Sequence, residues 1–178
     1  MAGWSGRRRA FGLASSSETT RVSVIGGGRV VPDDAAYATA REIGRRCGRR
    51  GYDVVCGGRA GVMEAACRGA SEAGGRTIGI LPGEDPGTAN PHVDVPIATG
   101  LGHARNPLVV MNGEAVIAVD GGVGTLSELG FAGVFERPTA GLGTHDVPGV
   151  EVVESPRAAV AFVESAVSER MVESDRET

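Results

Sequence analysis

Short apolar runs alternate with longer stretches of helical spacing along most of this chain, and glycine marks nearly every boundary between them. Arg21-Val22-Ser23-Val24-Ile25 reads as a first strand, ended by Gly26-Gly27-Gly28. Apolar residues then recur three and four apart over residues 32–50, which predicts a helix with Pro32 in its first turn and Gly51 as its stop. The same reading predicts strands at 53–56, 77–81 and 115–119, a short extended segment at 93–97, and one or two weaker strands between 139 and 153. Helices are predicted over about 61–73, 106–112, 121–136 and 156–169, the last of them amphipathic. Residues 82–91, rich in Pro, Gly and Asp, read as a loop.

Strands that alternate with helices in this way require a doubly wound, mostly parallel sheet with helices on both faces. The expected fold is therefore a Rossmann-like α/β single domain over residues 21–170. Residues 1–20 are expected to form a flexible tail and 171–178 a frayed end. Ligands of such sheets sit at the carboxyl ends of the strands.

Composition narrows the function more than the fold. The net charge of −4 gives no support for a nucleic-acid partner. All 18 basic side chains are arginine, so no lysine is present to serve a P-loop or a Schiff base. Cys47, Cys56 and Cys67 match no zinc or redox spacing and read as buried small residues of a reducing, cytoplasmic setting. His92, His103 and His145 also lack ligand spacing, so no metal is expected. Arg7-Arg8-Arg9 hint at an export signal, but the residues that follow lack its apolar region, and no stretch is long enough to span a membrane.

Three glycine clusters follow three predicted strands: Gly26-Gly27-Gly28, Gly57-Gly58 with Gly61, and Gly121-Gly122 with Gly124. All three fall on the carboxyl edge of the sheet. Glycine lets backbone N–H groups approach an anion, and a helix N-terminus adds unpaired donors and a partial positive charge. The competing reading is that these glycines only permit tight turns and close packing. Neither a dinucleotide fingerprint nor a P-loop is present. The expected ligand is a small phosphorylated molecule held outside the standard NAD and NTPase patterns.

The segment Asp120-Gly121-Gly122-Val123-Gly124-Thr125-Leu126-Ser127-Glu128 resembles the G-G-x-G-T-x-x-E signature of the lonely-guy (lysine-decarboxylase-like) Rossmann family. Gly57-Gly58-Arg59-Ala60-Gly61-Val62-Met63-Glu64-Ala65 resembles its second glycine motif, and Ala104-Arg105-Asn106 its arginine motif. With Ile80-Leu81-Pro82, Asn90-Pro91 and Thr99-Gly100, the pattern looks most like the molybdenum-cofactor-carrier-like branch. The resemblance runs over residues 22–135. It implies a Rossmann-like fold, frequent homodimerisation and a phosphate held on the glycine turns, with the molybdenum cofactor as a candidate ligand. In the lonely-guy enzymes the reaction is hydrolysis of a nucleoside 5′-monophosphate at its N-glycosidic bond. Carried over by motif, Glu128 would handle the attacking water or steady the oxocarbenium-like transition state, and Arg105 would bind phosphate or ribose oxygens. Gly122, Gly124 and Thr125 would hold the phosphate. Gly27, Gly28, Gly57, Gly58, Arg59, Gly61, Asn106 and Gly121 complete the candidate binding set.

Several of these residues have a second explanation. Thr125 and Glu128 fit a helix capping box as well as a catalytic pair. Asn106 before Pro107 fits an N-cap. The family's hydrolases usually carry a basic residue where this chain has the neutral Asn106, which fits the carrier-like branch better. Asp120 stands where the family usually has Gly or Pro. It would repel phosphate unless it faces away or pairs with Arg59 or Arg105, or else it favours a positive or hydrogen-donating ligand group. Glu64 fits a helix-dipole role. Arg59 fits either a ligand contact or a solvated loop, and Arg45, Arg46, Arg49 and Arg50 fit a solvated helix face. Met63 and Phe131 read as core or subunit interface. Three functions remain open: a non-catalytic binder of a phosphorylated pterin or nucleotide, a phosphoribohydrolase, and a sensor of a nucleotide-like signal.

Overall fold

The computed structural model describes residues 19–174; the expectations for residues 1–18 and 175–178 lie outside the described residues. In chain order the elements are β1 (Arg21–Gly26), α1 (Ala35–Arg49), β2 (Asp53–Cys56), α2 (Val62–Glu72), β3 (Thr77–Leu81), β4 (Val95–Ala98), α3 (Asn106–Met111), β5 (Ala115–Val119), α4 (Val123–Val134), β6 (Thr139–Leu142), β7 (Val150–Val152) and α5 (Pro156–Ser174). Among the described residues the strands form one seven-stranded sheet in the order β4-β3-β2-β1-β5-β6-β7, and every pairing is parallel.

The central strands are nearly continuous apolar runs because both of their faces are covered. Alternate residues go to opposite cores. Val22, Val24, Val54, Ala115 and Ile117 meet Ile43 and Cys47 of α1, Ala65 and Ala66 of α2, and Val160 and Val163 of α5. Ile25, Val55, Val116 and Ala118 meet Val109 and Val110 of α3 and Leu129 and Ala132 of α4. The chain leaves β1 toward β2 and leaves β5 toward β6, so right-handed crossovers put α1 and α2 on one face and α4 on the other, and α5 returns to the first face. The carboxyl ends of β1 and β5 therefore form the switch point where such sheets open a crevice.

Several predicted boundaries move. Helix α1 begins at Ala35 rather than in a turn containing Pro32, because Asp34 stops the preceding turn: its carboxylate accepts the Val31 N–H at 2.8 Å. Where one or two weaker strands are expected between 139 and 153, two form, β6 and β7. Helix α5 runs over Pro156–Ser174, beyond the predicted end near Glu169. Its buried positions Ala159, Val160, Val163 and Val167 make one stripe against the sheet. No helix among the described residues is long and apolar enough to cross a membrane.

Candidate functional site

A cavity of about 1030 Å³ opens on the carboxyl edge of the sheet, between the turns that follow β1 and β5. Gly27 and Gly28 from the first turn and Gly121, Gly122, Gly124 and Thr125 from the third line it. Helix α4 starts there with Gly122 as its N-cap and no side chain satisfying its first turn. The orphan N–H groups of that turn are thus available to an anion. The turn is held tightly: Gly121 has φ +134, and a Cβ on it would lie 2.6 Å from the Thr125 Cβ.

The second glycine cluster behaves differently. Gly57, Gly58 and Gly61 are buried and do not line the cavity; only Arg59 and Ala60 of that loop do. A side chain on Gly57 would run into the Arg105 guanidinium at 2.2 Å, and one on Gly61 into the Gly27 carbonyl at 2.3 Å. That carbonyl also accepts the Val62 N–H at 3.0 Å, which closes the start of α2 against the first turn. Here the glycines serve packing beneath the site.

Arg105 ends a 3-10 turn (Gly102–Arg105), and its side chain is only 9% exposed. Its Nη1 donates to Asn106 Oδ1 at 2.8 Å and to Glu128 Oε1 at 3.2 Å, and its Nη2 to the Gly57 carbonyl at 3.4 Å. The Nε lies buried without a partner. Burial pushes the Glu128 carboxyl up to about 7, with the Arg105 charge opposing that shift. Glu128 therefore caps nothing: it sits in the second turn of α4, paired with Arg105, and the capping-box explanation fails because the N-cap is Gly122. Asn106 is not an N-cap either. It lies within the first turn of α3, where its amide donates to Ser127 Oγ at 2.8 Å and to the Gly124 carbonyl at 3.4 Å. Arg105, Asn106, Ser127 and Glu128 thus tie α3 to α4 at the cavity wall.

Asp120 lines the cavity and pairs with neither Arg59 nor Arg105 among the described residues. It is a non-glycine residue at φ +52, and its own N–H donates to the Leu142 carbonyl at 3.1 Å. Its carboxylate lies against the first turn, where a Cβ on Gly27 would come within 2.3 Å of Oδ2.

Met63, expected in the core or an interface, is half-buried and lines the cavity because the first turn of α2 runs beside Gly28. Phe131 packs in the second core and stacks on Phe135 with ring centroids 5.9 Å apart. Glu64 occupies the first turn of α2. Arg45 and Arg46 pair with Glu42, and Arg50 with Glu164, on the outer side of α1. Sequence reasoning missed Arg29, Asp34 and His103 as cavity residues. Arg29 directly follows the first glycine turn, and that position alone places it on the ligand edge. His103 lacks metal-ligand spacing, but its place two residues before Arg105 of the arginine motif puts it beside the site. Cys56 and Cys67 lie behind the site with their sulfurs 3.4 Å apart, and the Gly58 N–H donates to Cys56 Sγ at 3.2 Å.

The model of the SLOG cluster4 family matches residues 19–170. The structure is similar to that of the molybdenum cofactor binding protein from the phototrophic bacterium Rippkaea orientalis, with a TM-score of 0.78 and 32% identity over 85% of this chain and 99% of that one. It is also similar to the molybdenum cofactor carrier protein of Chlamydomonas reinhardtii, with a TM-score of 0.76 and 32% identity over 84% of this chain and 99% of that one. In sequence it is 36% identical over 117 residues to a cytokinin riboside 5′-monophosphate phosphoribohydrolase of Mycobacterium tuberculosis, covering 64% of this chain and 60% of that enzyme. With its Rossmann-like sheet and its glycine turns in place, the chain belongs to the SLOG cluster4 family.

Proposed function

We propose that this protein binds a phosphorylated, nucleotide-like small molecule, a pterin or a nucleoside phosphate, and carries it without turnover. The observation that carries this reading is the division of labour at the cavity. The uncapped start of α4 faces the open space, whereas Arg105 and Glu128 are buried and committed to one another. An anion has donors waiting for it, and Arg29 and Arg59 line the same cavity with exposed side chains. The likeness to molybdenum cofactor binding and carrier proteins over nearly their whole length supports a carried pterin as cargo. A homodimer is part of the proposal, supported by the exposed apolar side chains Val123, Leu126 and Val134 along α4.

One observation favours phosphoribohydrolase activity instead. A cavity carboxyl pushed up to about 7 is poised to exchange a proton near neutral pH, as a general acid or base must. Incubation with a panel of nucleoside 5′-monophosphates, followed by chromatography for free base, separates the two. The binding reading expects no base release, together with protection against heating by at least one member of the panel. Base release that disappears in Glu128→Gln would overturn it in favour of the hydrolase.

A further inference from the structure

The carboxylate of Asp120 has no role in the anion-binding account, and its placement argues for one of its own. It is held at the switch point in a left-handed backbone conformation that Asp tolerates better than most residues but that still costs strain. The neighbouring turn accommodates it through Gly27, which leaves no room for a side chain beside Oδ2. No hydrogen bond or ion pair within the described residues satisfies its carboxylate, although three arginines line the same cavity. It also lines a second recess of about 470 Å³ with Ala36, Thr39, Leu142 and Val153, so it stands where two open spaces meet. An acidic side chain left free beside an anion site repels the anion. It is useful there when another part of the same ligand is positively charged or donates hydrogen bonds to it.

Building on the reading of a phosphorylated ligand, we propose that Asp120 is a specificity-determining residue that receives the paired N–H donors of a 2-amino-4-oxo-pyrimidine ring. A carboxylate has two acceptor oxygens side by side and binds two parallel donors at once. Guanine and pterins both present a ring N–H next to an exocyclic amino group in that arrangement. Adenine and hypoxanthine lack the pair. Phosphate on the α4 turn and a donor edge on Asp120 would then fix the two ends of one molecule.

The test compares GMP, IMP and ribose 5-phosphate by calorimetry. GMP and IMP differ only in the amino group. Wild-type protein should bind GMP at least about tenfold more tightly than IMP, the usual size of a hydrogen bond to a charged partner. Asp120→Asn, which suits the same backbone conformation, should abolish that preference while ribose 5-phosphate binds more tightly, because a repelling charge is gone. Gly27→Ala, which displaces the carboxylate without removing it, should also abolish the preference. Equal binding of GMP and IMP by wild-type protein, or a preference that survives in Asp120→Asn, overturns the assignment of Asp120 alone. Failure of wild-type protein to bind any of the three, and failure to bind a phosphorylated 6-substituted pterin as well, overturns the phosphorylated-ligand reading, and this inference with it. A 6-substituted pterin in the same calorimeter distinguishes a pterin cargo from a guanine nucleotide.

Discussion

At the scale of single residues, Glu128 shows how burial and pairing compete. Removing a carboxylate from water disfavours its charged form, and the guanidinium at 3.2 Å recovers only part of the loss, so its pKa stands at about 7 against an ordinary 4.5. A carboxyl whose folded-state pKa is raised contributes stability that is complete below the unfolded value and is lost as pH rises through the folded one. Ionising Glu128 should therefore cost the fold roughly 3 kcal/mol between pH 4 and pH 9. Glu128→Gln mimics the protonated form and leaves Arg105 in the same neutral company. Wild-type and variant should melt together near pH 4. By pH 8 the variant should melt higher, by on the order of 5–10 °C. Thermal melts at matched pH check this, and a difference that does not change with pH would show that Glu128 is ionised throughout. The neighbouring glycines carry the complementary lesson. Gly27 and Gly121 shape the cavity wall, but Gly57 and Gly61 exist because Arg105 and the Gly27 carbonyl occupy the space their side chains would need.

At the scale of elements, the closest packing in the fold lies between α1 and α2, and it depends on glycines inside both helices. A Cβ on Gly44 would come within 1.9 Å of the Ala66 carbonyl, and one on Gly69 within 1.9 Å of the Arg41 carbonyl. Backbone cannot yield as a flexible side chain can, so Gly69→Ala must push the helices apart despite the better helix propensity of alanine. It should destabilise the protein by about 3 kcal/mol in urea denaturation, whereas Ser71→Ala, exposed on the same helix, should change it by less than about 0.5 kcal/mol. Equal effects of the two would refute the close approach. This contrast also explains what the sequence made legible. The strands at 77–81 and 115–119 were readable to the residue, because short apolar runs between glycines have few alternatives. The start of α1 was not, because a turn closed by Asp34 competed with a helix-opening Pro32. Arg105 and Glu128 were legible as motif residues, but their mutual pairing depends on α3 meeting α4, and nothing in their spacing reports that contact. Which glycines line the cavity and which only pack was hidden for the same reason.

At the scale of the whole molecule, the sheet limits how two copies can meet. Both of its edges are poor templates for another strand: β4 carries Pro96, which has no N–H to donate, and β7 is only three residues long. Association by strand addition is therefore disfavoured, and a dimer needs an apolar helix face. Helix α4 has one. Its inner side supplies Leu129 and Ala132 to the second core, while Val123 and Val134 on its outer side are 84% and 72% exposed. Gly130 and Gly133 lie on the exposed side of the same helix with nothing of this chain within 4 Å of where a side chain would begin, so a second helix can approach closely. Val123 also lines the cavity, so a second copy seated on α4 would stand near the ligand's entrance. Sedimentation equilibrium at tens of micromolar should give twice the chain mass. Val134→Asp, which places a charge at the C-terminal end of that exposed face, should give the monomer mass with an unchanged circular dichroism spectrum. If the monomer also loses ligand affinity, the partner helps to wall the cavity. A monomeric wild-type protein, or a Val134→Asp variant that remains dimeric, would remove α4 as the interface.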